Sequence, residues 1–234
     1  MRPAPCIPAM LSMASVFDTD VDISTDDGGW HVDCLDAAHT SFVSMTIPAS
    51  AFGEDYEPMG DFALDTRGIR SLFSKADSIS LEDGWFVLKG KGWTRRVRTI
   101  PYERTRQLPA REFEAGALFD VELIRPILNE FSAKDMPAVA FILKEDGLRT
   151  EIADQKNSMT GFIPADDLVD MKVPEGGAVA NYALDYWQDF VKAVPKSTLV
   201  ELSYQTDYPA SVEFESDGLE CRWTIAPRIE TGGE

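Results

Sequence analysis

The residues best suited to chemistry are the carboxylates of "DTDVDISTDDGG" at 18–29, the histidines His31 and His39, and the cysteines Cys6, Cys34 and Cys221. A calcium loop places Gly at its sixth position and a bidentate Glu at its twelfth. Those positions hold Ile23 and Gly29, so the acidic run fails as a calcium loop. The histidines and cysteines lack the short paired spacings of a zinc site. Three cysteines are odd in number and too few for a disulfide framework, so a reducing cytoplasm is the expected compartment. No P-loop, dinucleotide fingerprint or nucleophile elbow occurs. Ser, His and Asp are all present, but a triad is a matter of geometry, not of inventory. The chemistry-bearing residues therefore point away from an enzyme, and neither a cofactor nor a metal is expected.

The charge balance narrows the remaining classes. Among 234 residues, 40 acidic side chains face 22 basic ones, for a formal net charge of -18. Phosphate binding needs concentrated Lys and Arg, so a protein that coats nucleic acid with its whole surface is excluded, while a local basic stripe is allowed. The hydrophobic content of 44% is that of a soluble globular protein. The length suffices for one large domain or two smaller ones. The run "PAVAFIL" at 137–143 is too short to span a bilayer, and no membrane partner is expected. The start "MRPAPCIPAMLSMASVF" has one Arg and an apolar stretch in the manner of a leader, but prolines break it, and residues 7–17 fit a helix better.

Four segments carry the apolar quartet i, i+3, i+4, i+7 of a helix face. They are Ile7/Met10/Leu11/Ala14, Ile69/Leu72/Phe73/Ala76, Ile124/Ile127/Leu128/Phe131 and Trp187/Phe190/Val191/Val194. The first and third stand 117 residues apart, and the second and fourth 118. Asp65 and Asp185, each read as starting a helix after an aromatic-Ala-Leu phrase, are 120 apart. "DDG" at 26–28 answers "EDG" at 145–147, and "IPA" recurs at an offset of 116. Such ordered coincidences mark a domain duplication and not a short solenoid repeat.

Between the helices the period changes to two. "DVDIST", "WHVDCL", "SFVSMTIP", "SISLED", "WFVLKG" and "WTRRVRTI" predict strands in the first half. "AVAFILKE", "LRTEIA", "SMTGFIP", "TLVELSY", "ASVEFES" and "LECRWTIA" do so in the second. The expected class is α+β, with two duplicated domains, each a helix pair packed on antiparallel sheet. The N-terminal domain is placed at 1–100, an exposed polar linker "PYERTRQLPAR" at 101–111, and the C-terminal domain at 112–234. "REFEAG" at 111–116 predicts a strand ahead of the third helix. Nothing equivalent precedes the first, so the protein either lacks that strand or starts further upstream.

"CLDAAHTSF" at 34–42, "YALDYWQDFVKA" at 182–193 and "DYPASVEFE…WTIAPRIE" ending at 230 resemble the DNA sliding clamps of the proliferating cell nuclear antigen (PCNA) type, the archaeal branch above all. The resemblance spans about residues 7–230. It implies a non-enzymatic processivity factor in which three two-domain subunits close head to tail around duplex DNA. Helices line the hole and sheets form the outside. The ring tethers DNA polymerase, flap endonuclease and DNA ligase, and a clamp loader opens it. The strands that pair between subunits correspond to "TRRVRTI" at 94–100 and "SMTGFIP" at 158–164. A clamp-like subunit or binding module that forms no homotrimeric ring is the alternative.

The same resemblance assigns two surfaces. The DNA-facing candidates are Arg67, Arg70, Lys75, Arg125, Lys134, Lys192 and Lys196. At about 100° per residue, Arg125 and Lys134 point to opposite sides of one helix, so at most one of them faces the hole. The first helix has no basic residue between Ile7 and Phe17. The partner-peptide candidates are Leu35, His39, Phe42, Leu108, Pro109, Tyr208, Pro209, Ala226, Pro227 and Ile229. Thr224 stands where the family commonly has an aromatic residue, two places before the Ala-Pro.

Overall fold

The computed structural model describes residues 1–103, 112–153 and 156–228. It comprises two compact units, Met1–Leu108 with Glu215–Arg222, and Pro109–Phe214 with Trp223–Glu234. The fold class is α+β, with helices packed on antiparallel sheets.

In chain order, the first unit contains α1 (Ile7–Phe17), β1 (Asp20–Asp26), β2 (Gly29–Leu35), β3 (Ser41–Pro48), β4 (Phe62–Asp65), α2 (Arg70–Phe73), β5 (Ser78–Glu82), β6 (Trp85–Gly90) and β7 (Trp93–Arg98). Its strands lie in the orders β3-β2-β1-β4 and β5-β6-β7. Helix α1 has no side-chain cap at Cys6. Burial more than offsets that deficit. A cap contributes about 1 kcal/mol, whereas Ile7, Met10 and Leu11 are fully buried, at about 1.5–3 kcal/mol each. The stripe covers a core in which the Trp30 ring meets Phe52 at 5.1 Å, Phe62 at 5.6 Å and Phe86 at 6.2 Å.

The second unit is built from β8 (Ala115–Asp120), α3 (Arg125–Leu128), β9 (Ala138–Lys144), β10 (Gly147–Ala153), β11 (Ser158–Pro164), β12 (Asp170–Lys172), β13 (Ala178–Ala183), α4 (Leu184–Ala193), β14 (Leu199–Tyr204), β15 (Ala210–Ser216) and β16 (Leu219–Ile225), with the stretch Glu215–Arg222 of the last two strands grouped with the first unit. Its strands lie in the orders β12-β8-β14-β15-β16 and β11-β10-β9-β13. Leu184, Trp187, Phe190 and Val191 of α4 are fully buried. Trp187 packs on Phe141 at 4.3 Å, and Phe190 on Trp223 at 5.4 Å.

Three sequence expectations need correction. The strand ahead of α3 is Ala115–Asp120 and not 111–116, because Ala115, Ala117 and Phe119 alternate into the core. Asp65 ends a strand and does not start a helix: β4 pairs with β1 in the register Asp20↔Asp65, and the Thr66 N–H donates to Thr19 O at 2.9 Å. Downstream, the Asp77 N–H already donates to Lys89 O at 2.8 Å. These two pairings squeeze the second helical pattern into the single turn of α2. The "DDG"/"EDG" correspondence is also off by one residue. The true equivalents are Gly29 and Gly147, at φ 138° and 141°.

That glycine pair carries the same device in each unit. A Cβ on Gly29 would lie 2.0 Å from Ile47 O, and one on Gly147 would lie 2.1 Å from Ile163 O. Ala49 N–H donates to Gly28 O and Ala165 N–H donates to Asp146 O, both at 2.9 Å. A hairpin turn is thus clamped onto the end of the third neighbouring strand, which only a residue without a side chain allows. Gly29→Ala and Gly147→Ala should each destabilise by more than Gly53→Ala, which shares a positive φ but has open space around it. Strain alone costs about 1–3 kcal/mol. Urea denaturation tests this, and equal losses at all three sites would show that the close approach contributes nothing.

Candidate functional site

In the first unit, α1 and α2 pack together, and their exposed side carries hydroxyls and cations. Arg70 Nη1 donates to Ser12 Oγ at 3.0 Å and to Ser15 Oγ at 3.2 Å, tying the two helices together. Arg67 sits in the turn before α2. Its Nε donates to both Asp65 oxygens, and Nη2 reaches Asp65 Oδ2 at 2.6 Å. The Arg67 side chain and its N–H hold the Asp65 carboxyl down at about 2, and Asp65 in turn raises Arg67. Because the folded value lies below the ordinary carboxylate range, the pair is fully formed at neutral pH and opens only as pH falls through about 2. Arg67 therefore keeps its neighbouring counter-charge under all physiological conditions. Lys75, just beyond α2, is exposed.

In the second unit, α3 and α4 cap each other. Gln188 Nε2 on α4 donates to Leu128 O and Phe131 O, both at 2.7 Å. Arg125 Nη2 on α3 donates to Val194 O at 3.1 Å and Pro195 O at 3.4 Å, while its Nε binds Glu122 Oε1 at 2.8 Å. Carbonyls left over at each helix end are thereby satisfied by the other helix. Arg125, with its side chain only 17% exposed, is occupied as a structural clip. Lys192 Nζ lies 3.8 Å from Asp189 Oδ1. Lys134 and Lys196 are exposed. On the outer face of the sheet, a groove of about 660 Å³ is lined by Glu112, Glu114, Asp170, Glu201 and Glu213 against a single cation, Lys172. A polyanion is repelled there.

β7 and β11 are two of the strands that end their arrays without an outer neighbour among the described residues. β7 is the edge of β5-β6-β7, and β11 the edge of β11-β10-β9-β13. β7 exposes Arg95, Arg96 and Arg98, the last two over the Trp85 ring at 5.3 Å. β11 exposes Phe162, with Arg149 over its ring at 5.4 Å.

The partner-surface residues fall on both units. In the first, Asp36 organises the loop after β2. Its Oδ1 accepts from the Thr40 and Ser41 N–H groups, both at 2.7 Å, and its Oδ2 from Thr40 Oγ1 at 3.0 Å. This presents His39 outward at φ 57°. Leu35 is half-buried opposite Phe42, which at 4% exposure belongs to the core and is no accessible contact. In the second unit, Tyr182 links two of the candidate segments. Its hydroxyl donates to Tyr208 O at 2.9 Å, and its backbone bridges to Pro227. Burial pushes the Tyr182 phenol up, so it stays a donor. Tyr208 is exposed and meets the Phe113 ring edge-on at 6.4 Å, beside half-buried Pro209. Ala226, Pro227 and Thr224 are half-buried. Leu108, Pro109 and Ile229 lie outside the described residues, as does the linker from 104 onward.

No protein-family model matches the chain. Curated relatives do. The DNA polymerase sliding clamp of Thermoplasma acidophilum is 24% identical over 251 residues, covering 94% of each chain. That of Methanothrix thermoacetophila is 27% identical over 238 residues, covering 95% of this chain and 94% of its own. Among solved structures, A. fulgidus PCNA bound to the C-terminal region of FEN-1 superposes with a TM-score of 0.85 at 19% identity, over 98% of both chains. Thermococcus kodakaraensis PCNA gives 0.83 at 15% identity, over 96% of this chain and 97% of its own.

The chain is similar along nearly its whole length to DNA polymerase sliding clamps, and it has the fold of the PCNA rings.

Several residues that matter here carried no signal of these roles in the sequence. Asp65 looked like a helix start, yet it neutralises Arg67. No motif in the sequence marks Gln188 or Ser12. Asp36 and Tyr182 lay inside quoted motifs, but only their hydrogen bonds reveal them as organisers of the partner-surface segments. The cysteines are inert: all three are buried, and burial pushes the Cys6 thiol up to about 11 and the Cys34 thiol up to about 12. Gln188→Ala and Arg125→Ala should each destabilise the protein by about 1–3 kcal/mol, the cost of orphaning buried polar groups. Duplex-DNA affinity at fixed salt should stay unchanged for both. A loss of DNA affinity in Arg125→Ala with stability intact would return that residue to the DNA-facing set.

Proposed function

We propose that three copies of this chain close into a ring by adding β7 of one copy to β11 of the next, and that the ring encircles duplex DNA with its helices inward. The observation that carries this reading is the pair of open edges, six residues in β7 and seven in β11. An unpaired edge is an association hazard unless it is covered, and a head-to-tail contact that closes covers β7 and β11 of every copy at once. The two units, joined by the linker at 101–111, act as successive segments of the ring. The ring is a tether and not a catalyst, so it needs only weak, sequence-blind phosphate attraction. Arg70, Lys75, Lys134 and Lys196 supply most of it. Arg67 and Lys192 act at a discount because carboxylates sit beside them, and Arg125 contributes little.

DNA polymerase, flap endonuclease and DNA ligase are the proposed clients, and a clamp loader opens the ring. Their peptides meet the exposed Tyr208 with Pro209, Ala226 and Pro227 on the second unit. His39 and Leu35 on the first unit, and Leu108, Pro109 and Ile229, complete the assignment made from the resemblance. A flap-endonuclease peptide on an archaeal PCNA of the same fold supports this mode of binding.

A second reading is a subunit of a mixed ring. It is favoured by the exposed side of α3, where Leu123, Pro126, Asn129 and Glu130 offer no cation. A PCNA2–PCNA3 complex from Sulfolobus tokodaii shares the fold, with a TM-score of 0.81 at 17% identity. Light scattering of the purified chain separates the two. A mass of three chains supports the homotrimer, and a persistent monomer at low and high salt overturns it.

Asp65→Asn keeps the acceptor for the Arg67 N–H but removes the counter-charge. Duplex-DNA affinity should rise, and the slope of log affinity against log salt should steepen by up to about 0.9. An unchanged slope would remove Arg67 from the DNA-facing set. Tyr208→Ala should weaken a peptide from the C-terminal region of an archaeal flap endonuclease at least about tenfold, the loss of one aromatic anchor. Equal affinity by calorimetric titration would place the peptide elsewhere.

A further inference from the structure

The edges β7 and β11 carry side chains that complement each other. Phe86 of β6 meets Phe73 of α2 at 5.8 Å, so the face bearing Phe86 is the helix side of β5-β6-β7. Side chains alternate along a strand, which puts Trp85 and its partner Arg98 on the outer face, together with Val87 and its partner Arg96. The Arg96 and Arg98 guanidiniums each stand 5.3 Å from the Trp85 ring, so one indole serves two cations.

β11 is built from the same kinds of group. A Cβ on Gly161 would lie 2.2 Å from Ile127 Cδ1 of α3, so Gly161 faces the helix and Phe162 faces out. Phe162 is the largest apolar side chain of its strand, yet it is 45% exposed. It ends a row that crosses the sheet in register, from Val179 through Ile142 and Arg149 to Phe162. Arg149 of β10 lies over the ring at 5.4 Å, and Asp146, 4.0 Å from Arg149, offsets its charge. The row thus stops at an aromatic ring, while the outer face of β7 starts with cations.

We infer that Phe162 of one copy packs against Arg96 of the next, and that this ring–cation contact locks the joint between β11 and β7. The inference rests on the ring proposed above. A single sheet with both helix layers on one side requires the outer residues of the two strands to alternate in phase. Phe162 then stands opposite Thr94, Arg96 or Arg98. In each of these registers Arg96 is directly opposite or one diagonal step away, within reach of a long side chain. The joint carries Arg149, Phe162, Arg96, Trp85 and Arg98 in turn, a ladder of cations and rings. A guanidinium is drawn to the ring quadrupole, and the attraction strengthens as water leaves. The occupant of each edge is a second copy, because one chain holds both halves of the ladder. β7 against β7 sets arginine against arginine, and β11 against β11 brings no new cation to either ring.

Sedimentation velocity on the full chain measures the concentration at which its rings dissociate. The variants are Phe162→Ala, Phe162→Leu, Phe162→Tyr, Arg96→Ala and the double variant with Ala at both positions. Both side chains are exposed in the single copy, so thermal melting should show every variant folded. Phe162→Ala and Arg96→Ala should each raise the dissociation concentration at least about tenfold. Phe162→Tyr keeps an aromatic face and should match the parent. Phe162→Leu keeps apolar bulk without that face and should resemble Phe162→Ala. The double variant should lose less than the two single losses combined, the mark of two groups in contact. A parent ring that Phe162→Ala or Arg96→Ala leaves equally stable, that Phe162→Leu fully preserves, or in which the two losses simply combine overturns the lock and leaves the ring standing. A parent that stays a monomer at every concentration overturns the ring, and the lock with it.

Discussion

The structure depends on the burial of one apolar helix stripe against each sheet. α1 and α4 have little local reason to exist, since neither has a side-chain cap at its N-terminus. α1 is held by burial of its stripe against β1, β2 and β3. α4 is held where Phe141 and Tyr182 meet Trp187 and Trp223 meets Phe190. Everything functional lies on what this packing leaves outside: the polar sides of the helices, the outer faces of the sheets, and the strand edges.

On the proposed reading, the polar helix sides let an acidic protein attract a polyanion without gripping it. Several of the arginines and lysines are partly neutralised locally, Arg67 by Asp65, Lys192 by Asp189 and Arg125 by Glu122. What is left over is a modest positive presence on the helix side, set against the strongly acidic outer sheet face of the second unit. In the proposed ring, DNA is held by topology, and tight phosphate contacts bring no gain because they slow movement. An acidic outer face then directs DNA to the helix side.

The strand edges make the second theme. Sheets that end in free N–H and C=O groups invite pairing, and proteins either guard those edges or use them. β7 carries arginines, which discourage self-pairing between like edges while remaining compatible with a less charged strand such as β11.

Much of the fold was legible before any coordinates. The duplication, the two long helices and nearly every strand follow from period and turn residues, since a stripe at i, i+3, i+4, i+7 and an alternation of two each have one economical way to be buried. β4, β12 and β13 were missed because each borders a helix or is very short, so pairing and not pattern defines it. The same competition shortened α2 to one turn. For the surfaces, residue types could nominate Arg125 and Phe42 but could not say what they touch. One proved to be a clip for carbonyls of α4 and the other a core ring. The sequence by itself determined which faces are apolar, how often the unit repeats and how acidic the exterior is, because these are properties of composition and spacing. Only the tertiary structure decided which charges are already spoken for, which backbone edges stay open and which glycines must remain glycine. Those depend on atoms brought within a few ångströms from distant parts of the chain.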